Sequence, residues 1–195
     1  NNCEDFICSN INGTLTFTST NGINIYGSLT LHPNVVGFNI RIYLKSILTE
    51  TITCAANTFN SVYFEGVGGD AGRWDVLDKI NIGYSLTLDN EAEVHFYDTI
   101  NGTSSLYAYI RDSSSFYMEG GPFLSSNANS TFTINSGSLY TNGYKIRMGQ
   151  FRVAHSPAND PILVYASTSR IEVGASGSTE SWEVEYKSAL DDLRF

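Results

Sequence analysis

Two aspartates, Asp75 and Asp78, stand three residues apart in "RWDVLD". A carboxylate pair can cleave a glycosidic bond when the groups lie about 5–9.5 Å apart and one of them stays protonated. Glu91 and Glu93 in "EAEV", and Asp191 and Asp192 near the end, are the other close acidic pairs. No further pattern supports any of these pairs, so the expectation is a protein without catalysis, with Asp75 and Asp78 the first residues to test.

The same region offers oxygen ligands. Asp70 lies within "GVGGDAG" and Asp75 and Asp78 follow it, and calcium prefers such hard donors. Their spacing matches no established calcium loop. His32, His95 and His155 lie far apart, and no second ligand stands at metal spacing from any of them. Neither a Gly-rich loop before a helix nor a Gly-x-Ser-x-Gly elbow occurs. No cofactor is therefore expected. Cys3 and Cys8 are close enough to staple a terminal loop, while Cys54 in "TITCAA" reads as a buried thiol. Asn12, Asn101 and Asn129 open N-x-[ST] triplets that accept glycan in a suitable secretory host. Tyr97, Tyr107, Tyr109, Tyr117, Tyr140, Tyr144 and Tyr165 crowd the later half, where exposed rings can stack on sugars or anchor an interface.

What must position these residues is a set of short strands. Runs such as "FNIRIYL", "SVYFEG", "AEVHFYDT", "SLYAYIRD", "STFTIN" and "PILVYA" alternate apolar and polar residues. Gly, Asn, Ser or Pro bounds each run and favours a turn there. The charged fraction is only 16%, and Ser, Thr, Asn and Gly take up the difference, which suits strands better than helices. Within these runs Leu29, Leu31, Ile80, Ile82, Leu86, Leu88, Val94, Phe96, Phe132, Ile134, Ile146, Met148, Phe151, Val153, Ile171 and Val173 are the expected core. The net charge of −9 repels phosphate backbones and anionic membranes. No run reaches the roughly 18 apolar residues of a membrane span. The start, "NNCEDFICSN", does not read as a signal peptide.

One echo bears on architecture. "INIYGSLTL" at Ile23–Leu31 returns as "INIGYSLTL" at Ile80–Leu88. Strands of like pattern stacked in successive coils would produce such a return, at roughly three coils' separation. The fold class expected is all-β, a β-solenoid over residues 1–187 with a capping or docking tail at 188–195. An antiparallel β-sandwich is the alternative. In the tail, Leu190, Leu193 and Phe195 are the candidate assembly contacts, Leu190 and Leu193 being spaced to share a helical face.

"FNSVYFEGVGGDAGRWDVLDKINIGYSLTLDN", "GSLYTNGYKIRMGQFRV" and "ILVYASTSRIEVGASGSTESWEV" together resemble the units of large repetitive surface proteins of gliding bacteria. The likeness runs from Ser61 to Val184 and is fainter before it. It implies a right-handed parallel β-helix, export by the type IX route, and a place on the cell surface or outside the cell, in adhesion or as structure. Its O-glycosylation triplet falls on "DTI", with Thr99 as acceptor. The partners implied are other subunits or domains of a surface assembly, and glycans, with neither nucleic acid nor an inserted membrane segment. The ending "EYKSALDDLRF" departs from the sorting domain of that group. Two other functions stay open: a carbohydrate-active β-helix enzyme, and an ice- or glycan-binding face built from Thr ladders such as "TLTFTST" and "STFT".

Overall fold

The computed structural model describes residues 2–9, 11–17, 21–36, 39–154, 162–174 and 182–185, with only the backbone described for the last segment. The chain winds as a right-handed β-solenoid of about seven turns, and no helix occurs among the described residues. Every strand pairs in parallel with its equivalents one turn before and after. The antiparallel sandwich is thereby overturned: parallel neighbours need a crossover, and here each crossover is the rest of a coil.

Three faces enclose the interior. The third face stacks eight strands, among them Thr49–Thr53, Arg73–Val76, Glu93–Phe96, Ser115–Met118, Gly137–Tyr140 and Ile162–Tyr165. The first and second faces share two long strands, Thr58–Gly66 and Ile80–Asp89. The leading half of Ile80–Asp89 pairs with Ile100–Gly102 on the first face, and its trailing half with Tyr107–Ile110 on the second. A bulge between Ile82 and Ser85 separates the two halves. Such a bulge bends a strand, so one strand can turn a corner without leaving the ladder.

Alternation along each strand sends every second residue inward, and stacking aligns like with like. One inward column reads Ile25, Leu44, Phe64, Leu88, Ile110, Ile134 and Val153. Another reads Trp74, Val94, Phe116, Leu139 and Val164. All of these residues are buried. Burial of each large apolar side chain contributes about 1.5–3 kcal/mol. The core expected from the sequence lies inside as foreseen, except that Ile171 and Val173 are only half-buried.

The echo has a different origin from the one expected. Following one column from Ile23, successive turns give Ile42, Val62 and then Leu86, so three turns arrive at Leu86 and not at Ile80. Leu29 and Leu31 belong to the third face, whereas Leu86 and Leu88 belong to the second. The swapped pair marks the difference. Tyr26-Gly27 makes a corner between strands Ile23–Ile25 and Leu29–Thr30, while Gly83-Tyr84 is the bulge inside one strand. The letters coincide because inward-apolar, outward-polar alternation is the common grammar of every face. Leu190, Leu193, Phe195 and the whole 188–195 tail lie outside the described residues, as do His155, Asp191 and Asp192.

Candidate functional site

The second face carries a cleft. Its outward column runs Asn24, Tyr43, Tyr63, Thr87, Tyr109, Thr133 and Arg152. Tyr43 and Tyr63 stack with ring centroids 4.8 Å apart. Thr87 then leaves one rung without a ring, and Tyr109 resumes the row. In the next outward column Ser85 lies beside Tyr107. The bulge places Tyr84 edge-on to Tyr107, centroids 5.5 Å apart. The Arg111 guanidinium carbon lies 4.5 Å from the centroid of Tyr109. Together Tyr63, Tyr84, Ser85, Thr87, Tyr107, Tyr109 and Arg111 line a cleft of about 290 Å³. The buried hydroxyls of Ser85 and Thr87 share a hydrogen bond at 3.2 Å. The arrangement sets tyrosine rings and one cation around a single concavity, above the buried Ser85 and Thr87.

The third face carries an aromatic ladder of a different kind. His95, Tyr117, Tyr140 and Tyr165 are successive members of one outward column. Their centroids are 4.2, 4.3 and 4.5 Å apart, with rings within 6° of parallel. Because each ring covers the next, the ladder shows solvent its edges and not its faces. Both His95 nitrogens meet carboxylates: Nε2 lies 2.7 Å from Glu93 Oε1, and Nδ1 lies 2.9 Å from Glu119 Oε1. An imidazolium donates to both at once, a neutral ring to only one. Asn142 Nδ2 donates to the other Glu119 oxygen at 3.0 Å. Burial, then the neighbouring Tyr140, pushes the Tyr117 phenol up to about 12.

The turn that follows the second face holds a carboxyl pair. Half-burial, then a hydrogen bond and charge repulsion from Asp112, raises Asp89 from its ordinary 3.8 to about 6. Beside it opens a hollow of about 320 Å³ lined by Gly66, Gly68, Gly69, Asn90, Glu91, Asp112 and Ser113. Asn90, Glu91, Asp112 and Ser113 all have positive φ, so two consecutive left-handed pairs turn the chain at this corner.

The acids singled out in the sequence do other work. Asp75 points outward from the third face and accepts from Arg73 Nε and Nη2, each at 3.1 Å. Asp78 accepts from the backbone N–H groups of Cys54 at 2.6 Å and Ala55 at 2.7 Å, bracing the preceding coil's turn. Asp70 is exposed in a turn closed by its own N–H on Val67. Among the described residues no three His, Cys, Asp or Glu side chains gather to hold a metal, so Asp70, Asp75 and Asp78 do not form the calcium set considered for them. Glu93 is engaged by His95 and by Arg73. His32 Nδ1 accepts from Asn34 N–H at 3.1 Å.

Cys3, Cys8 and Cys54 are all free thiols, so the expected Cys3–Cys8 staple is not made. Cys3 lies in Asn2–Cys3 of the second face, where its Sγ donates to Asn24 O at 3.6 Å, while Cys8 follows Phe6–Ile7 of the third. Strand pairing commits the two residues to different faces. Burial pushes both thiols up, and fully buried Cys54 furthest. Asn12 and Asn129 are exposed; Asn101 is half-buried, and its amide donates to Asn81 Oδ1 at 3.0 Å. Thr99 is half-buried in the turn before Ile100–Gly102. Thr133 stacks between Tyr109 and Arg152, so "STFT" does not continue as a ladder of threonines.

Sequence reasoning missed the Asp89–Asp112 pair and the cleft around Thr87. One signal was available: Asp89 and Asp112 are one coil apart, as are Tyr63, Thr87 and Tyr109 in succession. Reading the chain at that period, and not at the spacing of neighbours, brings them together. No protein-family model, curated protein or solved structure matches this chain, and what stands of the likeness to gliding-bacterium surface repeats is the parallel solenoid itself.

Proposed function

We propose that the chain is a non-enzymatic adhesion or assembly module of a secreted or cell-surface protein. Its partners would be glycans and further subunits or domains of a larger surface structure. The observation that carries this reading is the pair of outward tyrosine rows held at rung spacing on a rigid prism. Tyr84 and Tyr165 are 52% and 44% exposed. Tyr supplies large contact area with few rotatable bonds and is enriched where proteins meet partners. The stacked backbone fixes the position of each ring, so the ordering cost of binding is small. Export by the type IX route follows only from the sequence resemblance and belongs to this reading. Beads coated with the purified chain should adhere to polysaccharide-coated or cell-derived surfaces. Beads coated with a Tyr63→Ala/Tyr109→Ala/Tyr140→Ala variant that still folds should not.

A second reading, a carbohydrate-active enzyme, has one specific observation in its favour. Asp89, raised to about 6 by half-burial and by the neighbouring Asp112, lies beside a hollow of about 320 Å³. A carboxyl held protonated into the neutral range is what the general acid of such a mechanism needs. Release of reducing ends from a polysaccharide, abolished by Asp89→Asn, would favour it over adhesion.

A further inference from the structure

His95 is the middle of a hydrogen-bonded chain that crosses successive rungs of the third face. Arg73 Nη1 donates to Glu93 Oε1 at 3.4 Å, and the same oxygen lies 2.7 Å from His95 Nε2. On the other side His95 Nδ1 lies 2.9 Å from Glu119 Oε1, and Asn142 Nδ2 donates to the second Glu119 oxygen at 3.0 Å. These residues lie in, or just after, Arg73–Val76, Glu93–Phe96, Ser115–Met118 and Gly137–Tyr140, which are neighbours in the stack. A bare ring nitrogen cannot donate to a carboxylate, so loss of one ring proton breaks the chain at one of its two central links. His95 is 7% exposed, and water does not make good the lost bond. His32 is set the opposite way: its Nδ1 accepts from the Asn34 N–H, a bond that a proton on that nitrogen would break.

We propose that His95 is a proton-operated clasp: as an imidazolium it locks the turn headed by Glu119 onto the preceding coil, and as a neutral ring it lets that turn go. The groups facing the ring favour its charge. Glu93 and Tyr97 come from its own strand, Arg73 and Asp75 from the preceding rung, and Tyr117 and Glu119 from the following one. Three carboxylates, Asp75, Glu93 and Glu119, face one guanidinium, Arg73, so an imidazolium halves the excess negative charge of the cluster. Tyr117 lies flat on the ring at 4.2 Å, and an aromatic face attracts a cation within about 6 Å. Burial opposes the charge, but both N–H groups of the imidazolium meet carboxylate acceptors, the condition under which a buried charge is held. The turn is closely fitted: Glu119 and Gly120 both donate their N–H groups to Phe96 O, and a side chain at Gly120 or Gly121 would strike the backbone of Tyr97 or of Asp98 and Thr99. Glu93 is fixed in a strand and keeps Arg73, whereas Glu119 heads a turn and keeps only Asn142, so the link to Glu119 is the one that opens. The clasp needs only the stacked coils and stands apart from the adhesion reading.

An imidazolium favoured by folding contributes fully below about pH 6.5, the ordinary histidine value, and its contribution is lost as pH rises through the point where the folded ring gives up its proton. The test is nitrogen NMR of the folded chain with isotope-labelled histidine, titrated from about pH 5 to about pH 9.5, alongside amide hydrogen exchange. His95 should keep protons on both nitrogens to a higher pH than His32 does. As His95 loses its proton, protection of the Glu119 and Gly120 amides, corrected for the intrinsic exchange rate, should fall about tenfold, while that of Leu86 and Leu88 stays constant. Glu119→Gln keeps an acceptor but removes a charge, and should move the His95 titration down by about one pH unit. His95→Gln should abolish the pH dependence of exchange at Glu119 and Gly120. A His95 that gives up its proton at or below the pH where His32 does overturns the clasp, as does a titration that Glu119→Gln leaves in place. Exchange at Glu119 and Gly120 that ignores the His95 titration, or that keeps its pH dependence in His95→Gln, overturns it too.

Discussion

The ring of Tyr117 lies flat on that of Tyr140, centroids 4.3 Å apart and 2° from parallel. Tyr140 is stacked in the same way on its other side by Tyr165. Two stacks of about 0.5–1.5 kcal/mol each, with the area they bury, make Tyr140 a stabilising residue on the outside of the fold. Tyr140→Ala should cost about 2–3 kcal/mol in urea unfolding, and Tyr140→Phe well under half of that. Equal losses would show that the phenol hydroxyl and not the ring is what matters.

Asp78 holds the preceding coil's turn, where Ala55 and Ala56 both have positive φ. Hydrogen bonds from backbone N–H to a carboxylate contribute about 1.5–3 kcal/mol, and left-handed alanines are costly to hold without them. Asp78→Ala is expected to lower stability by about 2–4 kcal/mol. Asp75→Asn, which removes only a partly exposed pair with Arg73, should cost less than 1 kcal/mol. Thermal melts of the two variants side by side check the contrast.

Asp89 imposes a pH dependence. Its folded pKa, about 6, lies above its ordinary 3.8, so the folded state binds this proton more tightly than the unfolded state does. Below about pH 3.8 both states are protonated and the group costs nothing. Between there and about pH 6 the unfolded state ionises first and stability declines; above pH 6 the full penalty applies. Since Asp89 is only half-buried, solvent screening reduces this to about 1 kcal/mol. Subtracting the stability–pH curve of Asp89→Asn from that of the parent should leave a decline across pH 4–6. A flat difference curve would show that folding does not raise Asp89.

The Trp74 indole N–H is fully buried with no hydrogen-bond partner. Its ring nonetheless fills the core against Phe64, centroids 5.5 Å apart. Leaving a buried donor unsatisfied costs about 1–3 kcal/mol. Trp74→Phe removes that penalty along with some packing, and should change stability by no more than about 1.5 kcal/mol. Trp74→Ala, which leaves a large cavity, should cost about 3–5 kcal/mol. Chemical denaturation of both variants is the measurement.

Particular residues show how far a chain of this kind can be read. Leu86, Leu88, Phe132 and Ile134 were legible as core because alternation along a strand is local, and a local pattern decides which face of a strand is apolar. Asp75 and Asp78 looked like a pair because they are neighbours in sequence. In the folded chain one sits on a face and the other braces a turn, so they belong to different parts of the coil. Cys3 and Cys8 misled for the same reason.

By itself the sequence determined that the chain is all-β, built of short strands joined by turns, and that stacked coils would bury its apolar stripes. Only the tertiary structure decided the register, and register sets every relationship between coils. It places Thr87 between Tyr63 and Tyr109, Asp89 beside Asp112, and His95 on Tyr117. The physical reason is that coil length varies: successive members of the column Ile23, Ile42, Val62, Leu86, Ala108, Phe132 and Phe151 are 19 to 24 residues apart. Corners and bulges absorb the difference without disturbing the inward pattern, so alternation alone carries no record of which residues come to share a column.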